Sequence, residues 1–173
     1  MTNRILTVAD IERIETTPLE QRLPASTGYE ALLATVAKFP DHIAITALEP
    51  GAPLSTSREV TFSELLTQVN KAANMLRGRG LQADESVTHF LPLVPEAFYV
   101  MIAAETAGII NPVNPMLDVE HIVGITRSAN TRILVIPGRA CSQELFDKGC
   151  EIAAANPEIH TVYVLGGGDE CDG

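Results

Sequence analysis

Apolar positions in this chain fall into two rhythms, steps of three and four in some stretches and near-continuous short runs in others. Leu65, Leu66, Val69, Ala72, Ala73 and Leu76 follow the first rhythm and draw one stripe along a long helix. Thr61-Phe62-Ser63-Glu64 has the Thr-x-x-Glu form of a capping box and opens that helix, and Gly78 and Gly80 end it. Thr27-Gly28-Tyr29-Glu30 has the same spacing and opens a helix carrying Leu32, Leu33, Val36 and Ala37, which ends before Phe39-Pro40. Between the two helices, His42–Leu48 and Arg58–Phe62 read as strands. The Pro-, Gly- and Ser-containing loop 49–57 joins them as a hairpin.

From Ser86 the pattern becomes regular. Strands are expected at Ser86–Phe90, Ile109–Val113, Arg132–Ile136 and Thr161–Leu165. Helices alternate with them: Pro95–Ala107, a second capped by Asp118 and running to about Ser128, and a third at Ser142–Ala155. The 95–107 helix is apolar nearly all round, as a helix wedged between layers should be. Strand and helix alternating at roughly 25 residues per unit imply parallel βαβ units with right-handed crossovers. The expected fold class is α/β: a mostly parallel sheet flanked by helices, with an antiparallel hairpin near the start. Residues 1–26 read as an arm on the domain surface. It holds a short helix at Val8–Ile14 and is broken at Thr16-Thr17-Pro18 and Leu23-Pro24-Ala25. Residues 27–165 form the β/α subdomain, and the Gly- and acid-rich 166–173 is a linker or a cut end.

Charge and composition narrow the function. The 173 residues carry 22 acidic and 12 basic side chains, a formal net charge of −10, and the lysines are Lys38, Lys71 and Lys148. With no basic stripe, binding to a nucleic-acid backbone is not expected. The start, Met1–Leu6, lacks the apolar core of a secretion signal. The most apolar stretch, Ala97–Ala107, contains Glu105 and is too short for a membrane span. Cys141, Cys150 and Cys171 are odd in number and form no Cys-x-x-Cys pair, so unpaired thiols in a reducing cytoplasm are expected, with Cys141 at a helix cap and Cys150 in a helix core.

Candidate chemistry is sparse. There is no G-x-x-x-x-G-K-[ST] loop, no G-x-G-x-x-G turn and no G-x-S-x-G elbow. His42, His89, His121 and His160 are scattered, never at i, i+4, so no zinc site is expected. His89 falls at the end of a central strand, where a core histidine is the plain reading. Glu96 suits a helix start, whereas Glu105 near the same helix's end is electrostatically misplaced and needs a partner elsewhere. Open α/β sheets bind ligands beyond the carboxyl ends of their strands. Here that edge carries Leu91–Val94, Asn114–Leu117 and Pro137–Ala140, all proline-containing and mostly apolar, which suits the wall of an apolar cleft.

The ordered features resemble the adenylate-forming (AMP-binding) superfamily. Val60-Thr61-Phe62-Ser63-Glu64-Leu65 resembles its first core motif. Ala83-Asp84-Glu85-Ser86-Val87 with Leu91-Pro92-Leu93-Val94-Pro95-Glu96-Ala97-Phe98 resembles its Gly-Asp-x-Val … Leu-Pro-Asn-x-x-Glu-Phe segment, with Ala83 and Leu93 as departures. Ala103–Gly108 followed by Asn111-Pro112-Val113-Asn114-Pro115 resembles the second core motif, and Arg132–Ile136 the strand after it. The Asn-Pro-x-Leu form at Asn114–Leu117 looks more like acyl-CoA synthetases than peptide-synthetase adenylation domains.

The resemblance implies a parent enzyme that activates a fatty or aryl carboxylic acid with ATP and Mg to an acyl-adenylate, then passes the acyl group to CoA. It also implies that the Ser/Thr/Gly-rich phosphate loop, the ribose-binding acid, the hinge and the catalytic lysine lie beyond Gly173. The chain is therefore expected to be an inactive opening piece whose first partner is the remainder of its own polypeptide. No catalytic, cofactor or metal residue is carried over. Asn114, Pro115 and Met116 are candidates for the tunnel wall on the CoA or acyl side, against the plainer reading that Pro112 and Pro115 shape a strand exit. Two other readings stay open: a non-catalytic binding module of the same fold, and an adenylation domain that loads a carrier protein. An exposed apolar patch at the missing interface would let the isolated chain dimerise.

Overall fold

The structure is a computed structural model and describes residues 5–23, 25–48, 56–168 and 170–171. Its elements run α1 (Val8–Glu15), α2 (Leu19–Arg22), α3 (Gly28–Lys38), β1 (Ile43–Ala47), β2 (Arg58–Thr61), α4 (Phe62–Gly78), β3 (Ser86–His89), α5 (Pro95–Ala107), β4 (Ile109–Pro112), α6 (Val119–Ser128), β5 (Thr131–Pro137), α7 (Gln143–Ala155) and β6 (Thr161–Leu165). Every expected strand and helix from residue 27 onward is present, with ends shifted by a residue or two. Most of the expected 49–57 loop lies outside the described residues.

Strands β1 and β2 pair antiparallel as the hairpin. The other four form one wholly parallel sheet in the order β4-β3-β5-β6. The step from β3 to β4 passes through α5 on one face. The steps to β5 and β6 pass through α6 and α7 on the other, because right-handed crossovers in opposite directions must use opposite faces. Two cores result. Val87, Ile133 and Val135 face Tyr99, Ala103 and Ala104 of α5 and Val69, Ala73 and Leu76 of α4. Phe90, Leu134 and Ile136 face Ile122 of α6 and Phe146 and Ile152 of α7. The all-round apolarity of α5 has its reason here: α5 packs against α4 on one side and the sheet on the other.

Local signals act largely as the sequence implies. Thr61 and Glu64 form the full reciprocal capping box at α4. At α3 the box is only half formed. The Thr27 hydroxyl accepts from the Glu30 N–H, but the Glu30 carboxylate turns to the Ser26 N–H and hydroxyl at 2.8 and 2.7 Å. Asp118 occupies the N-cap of α6 without a side-chain cap bond and lies 3.7 Å from His121. In the arm, the expected break after Pro18 instead carries the one-turn α2, and neither α1 nor α2 buries a residue.

The cysteine expectation is overturned. Cys150 of α7 and Cys171 form a disulfide, with Cα atoms 5.2 Å apart, and Cys141 is the free, exposed thiol. The two partners are 21 residues apart, so no local motif marks them. They meet because α7 packs on β5 and the chain leaving β6, which pairs with β5, returns to that face. Cys141 sits just before the α7 N-cap, which is Ser142.

A hydroxyl ladder crosses the sheet near its amino edge. Asn111 donates to Thr88 at 2.8 Å, Thr88 and Thr131 lie 2.7 Å apart, and Thr131 and Ser86 3.0 Å apart. Buried hydroxyls cost free energy unless paired, so this chain of mutual bonds lets polar residues sit inside an otherwise apolar sheet.

Candidate functional site

The parallel sheet directs attention to its carboxyl edge. The loop leaving β3 runs to α5 on one face, while those leaving its neighbours β4 and β5 run to α6 and α7 on the other. Loops that part in this way leave a crevice beside β3.

The β3 exit turns sharply, with the Val94 N–H donating to the Pro92 carbonyl at 2.8 Å. This turn leaves Leu93 89 % exposed. Leu93, Val94, Pro95 and Phe98 line an apolar cleft of about 280 Å³, whose opposite wall is Ile45, Ala47 and Leu48 of the hairpin region. The sequence pointed to three edge loops as a common wall. In the structure the first of them forms a cleft, and its partner is the hairpin. That arrangement depends on where β1 docks, which strand periodicity does not encode.

The β4 exit holds the three candidate wall residues. Asn114 accepts the Met116 N–H through its side-chain oxygen at 3.0 Å, and its backbone carbonyl accepts the Leu117 N–H at 3.3 Å. This local turn leaves Met116 84 % exposed at the carboxyl edge. Asn114, Pro115 and Met116 therefore share one ordered loop, but they do not line the 280 Å³ cleft. Lys148, which the sequence reading passed over, donates from Nζ to the Pro115 carbonyl at 2.8 Å and the Leu117 carbonyl at 3.2 Å. Its only sequence signal was scarcity, as one of three lysines.

The β5 exit carries Arg139, whose guanidinium lies 4.1 Å over the Phe146 ring and 3.4 Å from Asp147. This is the one basic side chain of the loop 138–142.

His89 ends β3 and is buried. Its Nδ1 accepts weakly from the Leu91 N–H at 3.5 Å, and its Nε2 has no partner. Burial lowers its pKa, because the apolar surroundings disfavour the imidazolium. The Tyr163 hydroxyl is the other buried polar atom without a partner among the described residues. His89, Val135 and Tyr163 occupy one register row of the sheet.

The carboxylates resolve as structural. Glu96 pairs with Arg58 at 2.7 Å, which joins the start of α5 to the hairpin and raises the Arg58 pKa. Glu105 makes no ion pair or side-chain hydrogen bond with the described residues. Its carboxylate lies against Gly28, the first residue of α3, so close that a Cβ there would stand 3.0 Å from Oε1. Glu105 also borders a 710 Å³ cavity under the arm, at the opposite end of α5 from the carboxyl edge. Among the described residues, no three His, Cys, Asp or Glu side chains are grouped to hold a metal, and no helix is long and apolar enough to cross a membrane.

A four-stranded parallel sheet with helices on both faces and an appended hairpin is the architecture of the N-terminal domains of adenylate-forming enzymes. The long-chain-fatty-acid-CoA ligase from Archaeoglobus fulgidus superposes with a TM-score of 0.69 at 21 % identity, over 81 % of this chain and 27 % of that one. The acetoacetyl-CoA synthetase from Streptomyces lividans gives 0.68 at 22 % identity, over 84 % and 23 %. Residues 32–172 match the AMP-binding enzyme family, and the chain belongs to it. In sequence it is 30 % identical over 165 residues to the marinolic acid–CoA ligase of Pseudoalteromonas sp. (strain SANK 73390). That alignment takes in 95 % of this chain and 25 % of the ligase, so the chain spans about a quarter of this relative's length.

Proposed function

We propose that this chain is the N-terminal part of an acid–thiol ligase that activates a carboxylic acid with ATP and transfers the acyl group to CoA. In such a reaction the carboxylate oxygen attacks the α-phosphorus of ATP and pyrophosphate leaves. The thiol sulfur then attacks the acyl carbonyl and AMP leaves. The observation that carries the reading is the similarity to a CoA ligase along 95 % of this chain. The acetyl-coenzyme A synthetase of Xanthobacter autotrophicus, 44 % identical over 57 residues, supports the same reaction class.

On this reading the described residues supply scaffold and channel wall. Two large apolar side chains, Leu93 and Met116, stand exposed at the carboxyl edge beside the polar Asn114 and Arg139, and they suit the acyl or pantetheine side more than the triphosphate. Arg139 is held by Phe146 and Asp147. ATP, Mg and CoA are held by other residues of the ligase polypeptide. The 173-residue chain alone is inactive. The acid is a fatty or aryl acid, in keeping with an apolar cleft.

Two measurements test the proposal. A polypeptide of the relatives' length carrying this sequence should form acyl-CoA from ATP, CoA and an apolar acid, with one pyrophosphate released per thioester. Thioester formed on a carrier protein but not on CoA would move it to the carrier-loading class. Calorimetric titration of the 173-residue chain with ATP-Mg should show no tight binding. A micromolar dissociation constant would reveal a nucleotide site within these residues and refute the scaffold reading.

A further inference from the structure

Lys148 lies 31 residues or more along the chain from the loop it touches, and it crosses from α7 to reach that loop. It gives two of its three N–H donors to carbonyls that flank Met116, those of Pro115 and Leu117. Neither carbonyl belongs to a helix or strand, so neither has a ladder partner. The remaining fastening of the loop is local, through Asn114 to the N–H groups of Met116 and Leu117. Asn114 thus fixes the shape of the turn, while Lys148 fixes where the turn stands relative to the sheet. Its helix is itself immobilised, since its neighbours Gly149 and Cys150 are held by close contact with Ile136 and by the disulfide to Cys171.

We infer that Lys148 is a positioning residue: its ammonium holds the Asn114–Leu117 loop so that Met116 projects at a fixed place in the acyl or thiol channel. This rests on the reading that the chain belongs to an acid–thiol ligase. Lys148 touches no reacting atom in this role. A hydrogen bond from a charged donor is worth more than a neutral one, and two are made here, so their loss should loosen the loop about tenfold or more.

The test compares Lys148→Met, which keeps the apolar stem and removes the donors, with Lys148→Arg, which keeps charge and donors. In the 173-residue chain, hydrogen exchange at the Met116 and Leu117 amides should quicken about tenfold in Lys148→Met and return close to the parental rate in Lys148→Arg. The β5 amides should keep their protection in both, which separates a loosened loop from an unfolded protein. In the ligase polypeptide, Lys148→Met should raise the KM for the acid or the thiol about tenfold and leave the KM for ATP within about twofold.

Unchanged exchange in Lys148→Met overturns the holding role. Faster exchange with all three KM values unchanged, or all raised alike, overturns the channel role. Absence of acyl-CoA formation by the unsubstituted polypeptide overturns the ligase reading and the channel role with it, while the exchange comparison still decides whether Lys148 holds the loop.

Discussion

Glycine inside a helix normally weakens it, yet Gly149 of α7 is buried against β5. A Cβ added at this position would stand 2.6 Å from Cγ2, 2.8 Å from Cδ1 and 3.1 Å from Cβ of Ile136. Ile136 is fully buried, and its branch at Cβ prevents Cγ2 from moving away without a change of rotamer. Overpacking costs about 1–3 kcal/mol, and two contacts below 3.0 Å put Gly149→Ala near the upper end. Alanine recovers about 1 kcal/mol of helix propensity. The net expectation is a loss of about 2 kcal/mol, or a fall in Tm of roughly 4–8 °C for a chain of this size. Gly124 of α6 supplies the matched control, since it is exposed and a Cβ there meets nothing within 4 Å. Gly124→Ala should stabilise by about 1 kcal/mol and raise Tm by roughly 2–4 °C. Urea denaturation and calorimetry on both variants measure the two signs. Pairing Gly149→Ala with Ile136→Ala removes the two closest contacts, so the double variant should lose less than the sum of the singles. A Gly149→Ala protein as stable as the parent, or an additive double variant, refutes the close approach of α7 to β5.

Two further outcomes follow from the buried groups. Burial holds the His89 pKa below its ordinary value of about 6.5, so between the two values the unfolded chain binds a proton that the folded chain does not. Stability is therefore complete above about pH 6.5 and declines as pH falls toward the folded pKa, by at most about 1.4 kcal/mol per unit. The urea midpoint should drop across that window in the parent and stay level in His89→Phe; an equal drop in both would assign the effect elsewhere. The Cys150–Cys171 bond closes a loop of 21 residues, worth about 3 kcal/mol by chain entropy. Dithiothreitol should lower the unfolding free energy of the parent by that amount and leave that of Cys150→Ser unmoved. Thiol titration before reduction should find Cys141 alone, and three free thiols without reductant would dismiss the bond.

The class of fold was legible because its signals are local. Steps of three and four from Leu65 to Leu76, the Thr61–Glu64 box and Pro95 at a helix start each act within one or two turns of chain. Alternation of such segments at regular spacing leaves little besides a parallel sheet. The family was legible for another reason, four short motifs in order, whose meaning comes from resemblance and not from periodicity. The candidate site was only partly legible. Asn114, Pro115 and Met116 do share a loop at the carboxyl edge, as the strand exits implied. The apolar cleft instead joins Leu93 and Val94 to the hairpin, because the docking of β1 is a packing outcome.

What tertiary structure alone decided is the set of contacts between distant residues. The strand order β4-β3-β5-β6 depends on which face each crossover takes. Only after that choice does Lys148 meet Pro115, Cys150 meet Cys171 and Arg58 meet Glu96. None of these pairs has a local signature in sequence, since the partners stand 21 or more residues apart. The sequence determined where helices and strands begin and end, because those choices are set by neighbours a few residues away. Packing determined which distant groups met, because burial makes an unpaired charge or polar group costly only once the layers have closed around it.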